Sequence, residues 1–299
     1  MSDDIGGIDS HAGERPLSGK ATASLIFGLT SVFLCLNLFT GVPAIILGIL
    51  AQGDISKFGY RGAKAATWGT ILGIVGIVMI PVLGILAAMT LPAVAKVRAE
   101  ARSTISLANM RDVTMAFTMY EGQYGHFPPA AGGPAPNQVS WRLELAPYLE
   151  MAAVREAYRR DQPWDSDTNQ EFVAMIPASL QSPMNPEAAS GMTNYLVPVG
   201  EETAFPPEGQ FTSSAKFRDG VANTILLLEA DNELAVPWTE PRDLDYDAQN
   251  PLNGLGRLYP GHFHAAFADG RVERMDDDVD AVQFRAMITP HGGEVVPGD

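Results

Sequence analysis

Long apolar stretches come first along the chain, and a mixed polar remainder follows. No Asp, Glu, Lys or Arg lies between Lys64 and Lys96, a longer run than the ~20 apolar residues a helix needs to cross a bilayer. Beyond it, Lys96, Arg98, Glu100 and Arg102 interleave with Val94, Val97, Ala101, Ile105 and Ala108 at three- and four-residue spacing. That is the pattern of an amphipathic helix. One helix is therefore predicted over residues 67–122, crossing a membrane first and then serving as the spine of a soluble domain. Gly122 and Gly125, ahead of Phe127, Pro128 and Pro129, supply its stop.

A second charge-free stretch covers residues 21–52. Asn37, Gly41 and Pro43 interrupt it, and the pattern favours one kinked, tilted span over a hairpin of two short arms. With its connection it forms a first membrane segment, 21–66. Gly69, Gly73 and Gly76, then Gly84, Ala87 and Ala88, are small residues at helical spacing, suited to close contact with the chain's own first segment. Pro81 and Pro92 are expected to kink the second span. Residues 1–20, glycine-rich and without periodicity, read as a disordered tail and not as a secretory signal peptide. Basic residues flank the second span on both sides (Lys57, Arg61 and Lys64; Lys96, Arg98 and Arg102), so charge leaves orientation open.

Residues 123–299 read as one globular domain. Trp141, Leu143, Leu145, Tyr148, Leu149, Val154 and Tyr158 predict one or two short helices with Pro147 at a turn or first helical position. Short apolar or alternating runs at residues 195–199, 211–217, 224–228 and 263–267, bounded by turn residues such as Asp219-Gly220 and Asp269-Gly270, predict an antiparallel sheet. A long helix, short helices and then strands make the fold class α+β.

Charge narrows the partners. The net charge is −15 at pH 7, and Lys216 is the only lysine after Lys96. Such a surface repels nucleic acid and offers no polybasic patch to anionic lipid. The single cysteine, Cys35, lies in an apolar run, so no internal disulfide can form.

Candidate chemistry is sparse. Asp243, Asp245 and Asp247 alternate as the early ligands of a calcium loop do, but Ala248 replaces the turn glycine and Gly254 the bidentate glutamate. Asp276, Asp277, Asp278 and Asp280 form a denser acidic run, for which a solvated surface is the plain alternative to a cation site. His262 and His264 would share one strand face without a third ligand, which makes them sheet-surface histidines. No Gly-x-Ser-x-Gly elbow, no Ser-x-x-Lys and no phosphate loop is present. The expectation is a protein without enzymatic activity and without a cofactor, calcium being the one candidate.

The runs Leu91-Pro92-Ala93-Val94, Tyr124-Gly125-His126-Phe127-Pro128-Pro129, Ser140-Trp141-Arg142 and Pro147-Tyr148-Leu149-Glu150 recur in order with Pro163-Trp164-Asp165, Asp219-Gly220, Pro237-Trp238-Thr239, Phe267-Ala268-Asp269-Gly270 and Gly292-Gly293-Glu294. As a set they resemble the type IV pilin-like family called domain of unknown function 1559. Residues upstream, with Pro43-Ala44-Ile45-Ile46-Leu47-Gly48, resemble domain of unknown function 4190. The resemblance implies a pilin-like arrangement in which the hydrophobic helix continues as an amphipathic one packed on a sheet. Aligned on Pro92, Thr70 and Ile71 fall where pilin precursors are cleaved, and Val75 replaces the glutamate used in assembly. Tyr259 stands where the family's late histidine belongs, and Ser106 and Gln181 stand where many relatives carry cysteines.

These readings predict an anchored pilin- or pseudopilin-like protein of the bacterial inner membrane, its C-terminal domain outside the cytoplasm. It would contact other envelope or pilin-like proteins, or itself. The alternative is a cation- or ligand-binding ectodomain using Asp243, Asp245 and Asp247 or the run containing Asp276 and Asp278. A hydrolase would require Ser, His and Asp side chains converging in a pocket.

Overall fold

Three helices in the first unit pack through their smallest residues. In the computed structural model, which describes residues 16–33, 37–207 and 209–292, these are α1 (Gly19–Phe33), α2 (Asn37–Phe58) and the start of α3 (Ala63–Tyr124). Of the tail expected over residues 1–20, residues as far as 15 lie outside the described residues, as do Cys35 and the terminal Gly293-Glu294; Pro16 and Ser18 are instead tied to Arg61 by backbone hydrogen bonds of 3.1 and 3.0 Å, and Gly19 and Lys20 open α1. Buried positions in α1 are Ala21, Ser24, Gly28 and Ser31; in α2, Gly41, Ala44, Gly48 and Ala51; in α3, Ala66, Gly69, Gly73 and Gly76. Each set follows the same three-, four-, three-residue spacing, one stripe per helix.

Close backbone approach is what these residues permit. A Cβ on Gly28 would stand 2.8 Å from the Gly69 carbonyl oxygen, and one on Gly73 would stand 2.9 Å from that of Gly41. The Ser24 hydroxyl donates to the Ala44 carbonyl at 2.7 Å, and Lys20 pairs with Asp54 at 2.7 Å, so α1 and α2 run antiparallel. Large side chains point outward: Ile26, Phe39, Ile49, Ile74, Ile85 and Leu91 are all exposed. The single kinked span expected over residues 21–52 is thus replaced by two helices packed on each other. Asn37 opens α2 instead of interrupting a span, Pro43 is accommodated inside it, and Gly41 faces α3. Among the described residues two helices, over Phe39–Phe58 and Ala63–Tyr124, are long and apolar enough to cross a membrane; α1, with 15 residues, is shorter than that requirement. The helix α3 continues through Pro81 and Pro92 to Tyr124.

The molecule divides at Ala95 and Lys96 into two compact units, so the amphipathic part of α3 belongs with the second. There Met110, Val113, Ala116, Phe117 and Tyr120 form its buried face. Beyond Tyr124 the chain makes a short pair, β1 (Ala131–Gly132) with β2 (Val139–Ser140), then α4 (Trp141–Leu145), a 3-10 turn carrying Pro147, α5 (Ala152–Ala157) and α6 (Asp167–Gln170). Two further short pairs follow, β3 (Met192–Thr193) with β7 (Val236–Pro237) and β5 (Pro198–Val199) with β8 (Leu244–Asp245), the latter parallel.

The main sheet has the order β10-β9-β6-β4, all antiparallel, from β4 (Tyr195–Leu196), β6 (Ile225–Glu229), β9 (His262–Phe267) and β10 (Val272–Asp276). Asp269-Gly270 makes the hairpin between β9 and β10, with Gly270 at φ 89°, a backbone region that favours glycine. One face of the sheet packs on α3 and α4 through Tyr195, Leu227 and Ala266. The other, with Leu196, Leu228, Phe263 and Phe267, is covered by Phe284, Met287 and Ile288 of α7 (Ala281–Ile288). Residues 211–217 are not the expected strand; Phe217 stacks on Phe127 with ring centroids 5.9 Å apart, and Ser214–Lys216 is a 3-10 turn.

Candidate functional site

The sheet face turned toward α3 carries ionisable groups in its interior. A register shift between Ile225 and Leu227 resets the alternation of β6, so Leu228 turns to α7 and Glu229 turns to α3. Glu229 is 1 % exposed. The Ser106 hydroxyl of α3 donates to its Oε2 at 2.6 Å, and Ser182 donates to its Oε1 at 2.6 Å. His264 Nδ1 lies 2.6 Å from Oε2, and the Tyr259 hydroxyl donates to Oε1 at 3.3 Å. Ser106 also meets the Tyr195 hydroxyl at 2.9 Å, and Ser103 Oγ lies 2.9 Å from His264 Nε2. A proton on Nδ1 serves Glu229 and leaves Nε2 to accept from Ser103. Burial first, and then the Glu229 charge, pushes the Tyr195 and Tyr259 phenols well above their ordinary values, so both keep the proton they need as donors.

Ser103, His264 and Glu229 therefore have the connectivity of nucleophile, base and orienting acid. All three are fully buried, and Ser103 lies within the continuous helix α3, where its backbone N–H belongs to the helical ladder. Among the described residues, surface cavities of about 540, 320, 290 and 260 Å³ are lined by other side chains. The geometry can do one thing plainly: it satisfies a buried carboxylate from both sides and pins α3 to the sheet.

A second buried centre joins α4 to the loop before β8. Arg142 Nη2 and Asp243 Oδ1 are 2.5 Å apart, with side chains 0 % and 1 % exposed. Trp141 Nε1 and the Val197 N–H also donate to Asp243, both at 3.0 Å. Arg142 donates in turn to the Tyr195 carbonyl from Nε at 3.2 Å and from Nη2 at 3.1 Å. Burial pushes Asp243 up to about 6 against the opposing pull of Arg142, and it lowers Arg142 from its usual value against the pull of Asp243.

The acidic candidates are dispersed by this arrangement. Asp243 is consumed by Arg142, whereas Asp245 and Asp247 are exposed, because β8 is too short to keep the three on one face. Asp247 Oδ1 accepts the Gln249 N–H at 2.9 Å within its own turn. Asp276 ends β10, Asp277 and Asp278 are exposed, and Asp280 caps α7 by accepting from the Val282 and Gln283 N–H groups. Among the described residues no three His, Cys, Asp or Glu side chains converge as a metal site. His262 and His264 do share a face, with ring centroids 5.4 Å apart. His264 is no surface residue, however; it is the buried link between Glu229 and Ser103.

Sequence reasoning missed Glu229, Ser103 and Ser182. A signal was available: Ser103 and Ser106 fall on the buried face of α3 at helical spacing, and Glu229 ends an otherwise apolar strand in phase with inward-facing residues. Ser106 and Gln181, at the positions matched to cysteines, flank the hub. Asn109 Nδ2 donates to the Gln181 carbonyl at 2.9 Å, while Ser106 and the adjacent Ser182 clamp the two oxygens of Glu229.

Two family models match the chain. One, described as protein of unknown function (DUF1559), covers residues 95–255, and the other, described as domain of unknown function (DUF4190), covers residues 20–84. No curated protein and no solved structure matches.

Proposed function

From the premise that this chain belongs to the DUF1559 family, we propose that it is a non-enzymatic, pilin-like protein held permanently in the bacterial cytoplasmic membrane, its acidic α+β domain displayed outside the cytoplasm. Its role is structural: it presents a contact surface to other envelope or pilin-like proteins, or to further copies of itself. It requires neither metal nor cofactor and binds no nucleic acid.

The observation that carries the reading is the inverted packing of the first unit. Alanine, glycine and serine fill its interior while isoleucine, leucine and phenylalanine face outward. In water, exposed apolar area costs about 25 cal/mol per Å², whereas lipid solvates it and leaves close packing of small residues to hold helices together. Permanent anchoring is supported by the surroundings of Thr70. That residue is within α3, its hydroxyl bonds the Ala66 carbonyl at 2.9 Å, and it packs against Gly48. A peptidase acting at Thr70-Ile71 would have to open the bundle. Val75, at the position of the assembly glutamate, is exposed and uncharged.

The test is the mass of the mature protein from its native membrane together with protease accessibility in spheroplasts. An intact N-terminus and a digestible C-terminal domain are expected. Cleavage near Thr70-Ile71, or a protected domain, would overturn the anchoring or the orientation.

A further inference from the structure

Five aromatic rings form a continuous row around the C-terminal end of α3. Centroids are 6.3 Å apart from Tyr148 to Tyr120, 4.4 Å from Tyr120 to Tyr124, 6.4 Å from Tyr124 to His126 and 4.3 Å from His126 to Phe211. Rings that served only to close the helix would be buried, as Tyr120 is. Tyr124 is instead 45 % exposed and Phe211 57 % exposed. Beside the row lies a cavity of about 290 Å³ lined by Gln123, Tyr124, Glu144, Tyr148, Arg155 and Glu156. Several of its polar groups are positioned by one another. Glu144 holds Arg155 at 2.9 Å and Arg160 at 2.7 Å, and the Tyr148 hydroxyl donates to Gln123 Oε1.

The lining selects the chemistry. Of the charged lining residues Glu144, Glu156 and Arg155, Glu144 is paired with Arg155 and, from outside the cavity, with Arg160, so the charges at the site balance, inside a protein whose overall −15 repels polyanions. An apolar peptide wants aliphatic walls. The neighbouring cavity of about 540 Å³, with Met115, Met119 and Met151, has them, whereas here Pro147 and Ala152 alone are aliphatic. What fits is a ligand with a C–H face to lay on a ring and hydroxyls at its edge that both donate and accept. A sugar ring has that form. Carboxylates accept from it, Arg155 donates to it, and Gln123 does both.

We propose that Tyr124, His126 and Phe211, with the adjoining cavity, bind a linear uncharged glycan, its successive sugar units lying along the ring row. This site does not depend on the anchoring reading.

The experiment is calorimetric titration of the full-length protein, in phosphatidylcholine nanodiscs free of glycoside detergent, with chitopentaose and with cellopentaose. Saturable binding of at least one is expected, and the preferred one tells whether the N-acetyl group is read. Tyr124→Ala and Phe211→Ala should each weaken binding about tenfold, the scale of one lost ring contact, while Met115→Ala in the neighbouring cavity should leave it unchanged. All three side chains are exposed, so far-UV circular dichroism should match the parent. No saturable heat with either sugar, or binding unaltered in both ring variants, overturns the proposal, as does binding of a basic amphipathic peptide that the same two variants abolish in the absence of any sugar binding.

Discussion

Glu229 is the side chain on which the interior of the second unit depends. Its carboxylate accepts from Ser106 and Ser182 at 2.6 Å each, from His264 and from Tyr259, so removing it leaves several buried donors unsatisfied at once. Glu229→Ala is expected to destabilise the domain by about 3–5 kcal/mol, the range for breaking a buried polar pair. Ser103→Ala should cost only about 1 kcal/mol, one ordinary hydrogen bond. Chemical denaturation measures both. If Ser103 were a nucleophile, a fluorophosphonate probe would label the parent and not the variant; labelling of neither is expected. None of this was legible from composition, since thirty-five acidic residues make any one of them unremarkable. His264 was read as a surface residue because alternation along a strand tells which residues share a face, not which face is covered.

At the scale of the element, glycine spacing decides whether the first three helices meet. Gly73→Leu would drive a side chain into the Gly41 carbonyl and into Ala44 and Ile45, whereas a side chain at Gly84 meets nothing within 4 Å. Overpacking typically costs about 1–3 kcal/mol. Gly73→Leu should therefore lower the Tm of helical ellipticity in lipid nanodiscs while Gly84→Leu leaves it unchanged. The spine helix was readable almost to its last residue, because an apolar run, an amphipathic period and a Gly-Pro stop are all local signals. The hairpin at Asp269-Gly270 was readable for the same reason. The strand β10 was not: its sequence Val-Glu-Arg-Met-Asp is the polar edge of the sheet, where charge discourages further pairing and hides the strand. The helix α7 was likewise masked by the acidic run before it, whose last member, Asp280, is its cap. Residues 211–217 alternate like a strand because Phe211 and Phe217 serve two separate ring contacts, with His126 and Phe127.

For the whole molecule, the division at Ala95 and Lys96 has a direct consequence. Both hydrophobic clusters of the second unit lie after it, as do the Glu229 hub and the Arg142–Asp243 pair. A fragment of residues 96–292 should therefore be soluble without detergent and unfold in one cooperative transition; a fragment that aggregates or melts without a transition would mean that the core needs the first unit. The clamp on Glu229 also frees such a domain from dependence on a redox compartment. Glu229 joins Ser106, one of the two positions matched by resemblance to cysteines, to Ser182, the neighbour of Gln181 at the other, and hydrogen bonds of this kind neither form by oxidation nor break by reduction. The fold is closed by chemistry that is indifferent to electron supply, and it is the same protein in a reducing cytosol as in an oxidising envelope.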